Sequence, residues 1–149
     1  MNKAAGAALA AAVAILATGA VIAQSDPISA RKGLMKENEN NAVTVVRMMR
    51  GQLPYDPAKV DAAFAQWADT AKQLPSLFPD NSKTGQNTRA APKIWTSKAD
   101  FDAKAAAFGK AVAENREKAK GSVEGLRAAI PAVGNACDTC HKDYRLAKQ

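Results

Sequence analysis

Apolar side chains recur along this chain at helical intervals, and no stretch alternates apolar and polar residues for long enough to make a strand. Ile28, Met35, Ala42 and Met49 stand seven apart with Val45 and Val46 beside them, which predicts a first helix over residues 27–50. Asp26 suits its N-cap, Pro27 its first helical position and Gly51 its end. Val60, Phe64, Trp67, Ala71 and Leu74 advance by steps of four and three, so a second helix runs over residues 57–74 behind Asp56-Pro57. Phe101, Ala105, Phe108, Val112 and Asn115 repeat that rhythm in a third helix. It begins at Ser97, whose spacing to Asp100 resembles a capping box, and stops at Gly121. A fourth helix from Ser122 carries Leu126, Ile130, Val133, Cys137, Cys140 and Tyr144 on one stripe, and Pro131 within it predicts a kink or a split.

Between the second and third helices the rhythm breaks. Pro75, Pro79, Gly85 and Pro92, set among Asp80, Asn81, Ser82, Thr84, Asn87 and Thr88, predict a long loop over residues 75–96. Phe78 and Trp95 require that this loop pack on something. The fold class expected is all-α: an antiparallel four-helix bundle with one long loop between helices 2 and 3.

The first residues lie outside that pattern. After Lys3, residues 4–23 are apolar and rich in alanine, and Val21-Ile22-Ala23 ends them with the small residues a signal peptidase reads. Residues 1–23 are therefore expected to be a cleaved signal peptide, with a single exported domain over residues 24–149 beginning at Gln24. An uncleaved anchor is the rival, but so much alanine inserts weakly, and no stable membrane insertion is expected after cleavage. The formal charge of +7 does not imply nucleic acid, because the segment is exported and lysines alternate with acids along the helices. It marks either a solvated basic surface or a docking face for an acidic protein; Lys142, Arg145 and Lys148 follow one another at spacings that keep them near one side.

The residues with chemistry are Cys137-Asp138-Thr139-Cys140-His141. Two cysteines three apart followed at once by histidine form the attachment pattern of haem c. Positions i, i+3 and i+4 share one helical face, so both thiols can bond the haem periphery while the imidazole reaches the iron. Other readings fit poorly. A thioredoxin-type dithiol belongs beside a βαβ pattern, a zinc site needs more ligands than these, and a disulfide this short closes a tiny loop. His141 is the only histidine, so the sixth position of the iron is empty, or is filled by methionine, lysine or an outside molecule. Met35 and Met49 lie on the inner stripe of the first helix and Met48 is less well directed; each is core or ligand on periodicity alone.

With the haem motif at the C-terminal end, on the last of four helices, the chain resembles the class II c-type cytochromes, the cytochrome c′ family. Arg31 with Leu34-Met35-Lys36, Gly51-Gln52-Leu53-Pro54-Tyr55-Asp56, Leu77-Phe78-Pro79, Pro92-Lys93-Ile94-Trp95 and Tyr144-Arg145 look like its landmarks. The resemblance implies one covalent haem c at Cys137 and Cys140, with His141 as an axial ligand to iron. It implies Arg31 at a haem propionate, and Phe78, Trp95, Phe101 and Tyr144 around the haem. Met35 falls where the family either covers the iron with a bulky apolar residue or bonds it. The Leu-Met-Lys run looks more like the low-spin, methionine-ligated branch. The function implied is a periplasmic electron carrier, not an enzyme, served by a redox partner protein. The rival is a five-coordinate, high-spin protein binding nitric oxide or carbon monoxide. A homodimer through the first helices stands beside a monomer as an open state.

Overall fold

A computed structural model of the chain describes residues 26–147; the expected signal peptide, Gln24 and Lys148 lie outside them. Four long helices carry the structure: α1 (Pro27–Met49), α2 (Pro57–Gln73), α4 (Lys98–Gly121) and α5 (Val123–Tyr144), with a single-turn α3 (Lys93–Thr96) inside the long loop. The predicted start signals act as their chemistry dictates. The Asp26 carboxylate accepts from the Ser29 N–H at 2.7 Å, and Asp56 accepts from the N–H groups of Ala58 and Lys59. Gly51 ends α1 at a φ of +71°, a left-handed conformation that glycine adopts without strain.

Three expectations need correction. Ser97 occupies the N-cap of α4 without a side-chain capping bond; the Lys98–Asp102 pair links that first turn instead. The hydroxyl that does cap is Ser122, which accepts from the Gly125 N–H at 3.0 Å. A Cβ at Gly125 would run into the Lys118 backbone carbonyl, so the α4–α5 turn demands glycine there. Secondly, of the kink or split predicted at Pro131, the split does not occur, and α5 runs unbroken from Val123 to Tyr144. Proline removes one hydrogen bond, and the packing of α5 on α4 holds the turns on either side of it.

The third correction concerns which face of α1 is buried. Val45 and Met48 are buried, whereas Met35, Ala42 and Met49 of the seven-residue stripe are only half-buried. α1 leans on α2 with the face beside the stripe, and it meets α5 sparsely. The stripe therefore lies along the sparse α1–α5 contact. α5 mirrors this: Leu126, Ala129 and Val133 are buried, while Ile130, Ala136, Cys137 and Cys140 are half-buried.

Two apolar clusters result. The larger joins Val45, Met48, Val60, Phe64, Trp67, Phe108, Val112, Leu126 and Val133 from all four long helices. The smaller joins Leu74, Ile94, Phe101 and Tyr144, with Met35, Phe78, Trp95 and Cys140 packed against it. The loop supplies much of this second cluster, and it is more ordered than its composition implies. Short 3₁₀ turns over Leu74–Leu77 and Asp80–Ser82 lead to α3.

Candidate functional site

Cys137, Cys140 and His141 occupy successive turns near the end of α5, and all three are half-buried. Cys137 packs against the larger cluster and Cys140 against the smaller, so the motif sits where the two clusters meet. Neither thiol is in a disulfide. Burial pushes the Cys137 thiol up to about 11, helped by the charge of Asp138, and burial likewise raises Cys140. A nucleophilic dithiol is favoured by the opposite shift, so the direction here gives no support to redox exchange. His141 is drawn below its usual value, first by burial and then by the nearby charge of Arg145, which keeps the imidazole neutral with a lone pair to offer.

The four aromatic residues singled out in the sequence do converge. Phe78 stands edge-on to Phe101 at 4.8 Å and to Trp95 at 5.8 Å, and Phe101 meets Tyr144 at 5.3 Å between ring centroids. The Trp95 indole N–H donates to the Phe78 carbonyl at 2.9 Å, closing the loop on itself. The Tyr144 hydroxyl donates to the Asp100 carboxylate, and burial followed by that bond pushes its pKa up to about 12. Met35 from α1 and Cys140 from α5 pack against this one cluster. Two neutral thiols, a neutral imidazole and a thioether are thus gathered along a seam whose apolar stripes are half-buried. That donor set and its apolar surroundings fit a covalently held haem.

Arg31 is placed differently from a surface arginine. It is 4% exposed, and its guanidinium donates to the Leu77 carbonyl, the Ser82 hydroxyl, the Ser82 carbonyl and the Thr88 hydroxyl at 2.8–3.0 Å. These are loop atoms, and the Phe78 ring lies 4.5 Å from the guanidinium carbon. The sequence offered no sign of the loop partners, because Leu77, Ser82 and Thr88 are 46 to 57 positions away. Also unforeseen is Asn38, one turn after Met35. Its side-chain oxygen accepts from the buried Thr70 hydroxyl at 2.9 Å, and its carbonyl accepts from the Trp67 indole at 3.4 Å. A surface groove of about 360 Å³ by Gln86, Thr88, Pro92 and Leu146 is lined by none of the motif residues.

Lys142 and Arg145 are exposed just past His141, and with Arg89 they take no part in an ion pair among the described residues. Asp143 is held by Lys93 at 3.6 Å and Lys104 at 3.3 Å, so Asp138 is the one acid beside the motif that faces these three cations outside an ion pair among the described residues.

A family model described as Cytochrome C′ matches residues 26–145. The chain is 41% identical to a cytochrome c-556 of Rhodopseudomonas palustris over 135 residues, 88% of this chain and 90% of that one. It is 40% identical to a cytochrome c′ of the same organism, covering 90% and 91%. The solved structure of cytochrome c′ from Rhodopseudomonas palustris superposes with a TM-score of 0.79 at 36% identity, over 85% of this chain and all of that one.

Proposed function

This chain belongs to the cytochrome c′ family and is a cytochrome with one covalent haem c, and from that premise we propose that it is a low-spin electron carrier with His141 and Met35 as axial ligands. Cys137 and Cys140 would anchor the haem to α5, and His141 would hold its iron from the same helix. When bound, the haem supplies an iron that takes up and gives back one electron. The residues of the chain hold that group in place, keep its surroundings apolar and raise its potential through a thioether ligand. With its single histidine used on one side, the protein has no imidazole left as an acid or base for peroxidase-type chemistry.

The observation that carries this reading is the packing of Met35 against the cluster that also receives Cys140. The test is an optical spectrum of the reduced holoprotein. A low-spin spectrum with carbon monoxide binding slowly is expected. A high-spin spectrum with fast carbon monoxide binding would replace the carrier with a gas-binding protein. Similarity to both a cytochrome c-556 and a cytochrome c′ at nearly equal identity keeps that alternative specific.

The carrier works in the periplasm, exported by the apolar leader. Among the described residues no helix is long and apolar enough to cross a membrane. Its partner presents acidic side chains to the rim formed by Arg89, Lys142 and Arg145. Exposed charges act over about 8–10 Å at ordinary salt, so they steer encounter more than they hold a complex. Electron-transfer rates with the partner should fall as ionic strength rises, and a flat dependence would leave the rim as solvated surface.

A further inference from the structure

A guanidinium buried without a carboxylate partner is costly unless every nearby polar atom is turned to it. Arg31 meets that condition through the loop alone: Nη1 donates to Leu77 O at 3.0 Å and Ser82 Oγ at 2.9 Å, and Nη2 donates to Ser82 O at 2.8 Å and Thr88 Oγ1 at 2.9 Å. Among the described residues no ion pair includes it. The loop atoms it uses are themselves braced, since the Ser82 hydroxyl donates onward to the Pro79 carbonyl at 2.8 Å and Thr88 Oγ1 also accepts from the Ala90 N–H at 3.3 Å.

The same loop is fastened at its other end to the segment that follows the haem histidine. Ala91 N–H donates to the Tyr144 carbonyl at 3.0 Å, Leu146 N–H donates to the Arg89 carbonyl at 2.8 Å, and the Arg89 Nε–H returns a bond to the Leu146 carbonyl at 2.9 Å. The loop is therefore a strap, tied to α1 one turn before Met35 and to α5 three residues beyond His141. It delivers Phe78, within the first tie, and Trp95, just past the second, to the cluster on which Met35 packs. α1 and α5 touch each other sparsely, so the strap is a main physical link between them at this end.

We propose that Arg31 is a positioning residue for the sixth ligand: by clamping the strap to α1 it holds the Met35 thioether within bonding reach of an iron borne by His141. This rests on the reading of Met35 and His141 as axial ligands. Without the clamp, the exposed Gln86 bonds to Asp26, Ser29 and Lys32 still tether the strap to the start of α1, but its buried fastening beside Met35 is lost, and an open distal site becomes populated in competition with the ligated state.

The test uses the folded holoprotein and its Arg31→Gln, Arg31→Lys, Thr88→Val and Ser82→Ala variants, read by reduced spectrum and carbon monoxide association. Arg31→Gln should gain a high-spin fraction and bind carbon monoxide roughly tenfold faster or more, the population change that follows from losing buried charged hydrogen bonds. Arg31→Lys, which keeps the charge and part of the bonding, should restore most of the low-spin state. Thr88→Val and Ser82→Ala leave the charge untouched and should shift both readouts the same way by less. If Arg31→Gln shifts only the reduction potential, with spin state and carbon monoxide binding unchanged, Arg31 acts by charge and the proposal fails. Should Arg31→Gln not fold, silence of both loop variants overturns it. A wild type that is already high-spin overturns the Met35 reading and this one together, whereas a low-spin wild type with silent variants overturns this one alone.

Discussion

Phe64, Val60, Val112, Leu126 and Ala129 show no exposed surface, whereas Met35, Phe78, Trp95 and Cys140 are only partly covered although all are drawn to one cluster. The first group belongs to a core where four helices interdigitate, and the second to a seam where α1 and α5 meet only sparsely. A chain with ample apolar residues leaves that seam half-buried along two stripes of helical spacing. The difference separates what stabilises the bundle from what the bundle is for. Half-buried apolar stripes beside two thiols and an imidazole suit an apolar group that the polypeptide does not supply.

The largest effect should come from the closed core. Phe64→Ala removes a side chain with no exposure and should cost about 3–5 kcal/mol in denaturant unfolding of the holoprotein. Its spin state should stay that of wild type, because Phe64 belongs to the larger cluster and not to the one that takes Met35. A spectral change in Phe64→Ala would erase the distinction between the two regions.

Met35→Leu makes the opposite demand. The swap roughly conserves volume at a half-buried site, so stability should fall by less than about 1.5 kcal/mol. The reduced spectrum should nevertheless turn high-spin, and carbon monoxide should bind readily. A spectrally silent Met35→Leu in a high-spin wild type would make Met35 packing and no more.

The smallest effect lies on the surface between α2 and α4, where Arg116 donates to both Asp61 oxygens at 2.8 and 2.9 Å. Those bonds hold the Asp61 carboxyl below its usual 3.8, against the opposing effect of burial. A lowered carboxyl pKa stabilises the fold above the unfolded value and ceases to do so as pH falls through the folded one. The stability gap between wild type and Asp61→Asn should therefore be constant near neutrality and close below about pH 3.8. Both partners are more than a third exposed, so added salt should narrow the gap. A gap that persists at pH 2 would show that Asp61 acts by packing or by neutral hydrogen bonds.

By itself the sequence determined what depends on neighbours within a turn or two. Aspartate before proline, glycine at a helix end and apolar steps of three and four set the four long helices within a residue or so of their observed bounds. The spacing of Cys137, Cys140 and His141 placed three reactive groups on one helical face before any packing was known. The tertiary structure decided what depends on partners far along the chain. Periodicity put Met48 off the inner stripe, yet Met48 is buried and Met49 half-buried, because α1 leans on α2 and meets α5 only sparsely. Gly and Pro marked residues 75–96 as loop, but the order in that loop comes from a guanidinium on α1 and from backbone pairing with the tail behind α5. A seven-residue repeat records that a face is apolar. Which neighbour covers that face, and how completely, depends on contacts between helices that no local spacing encodes.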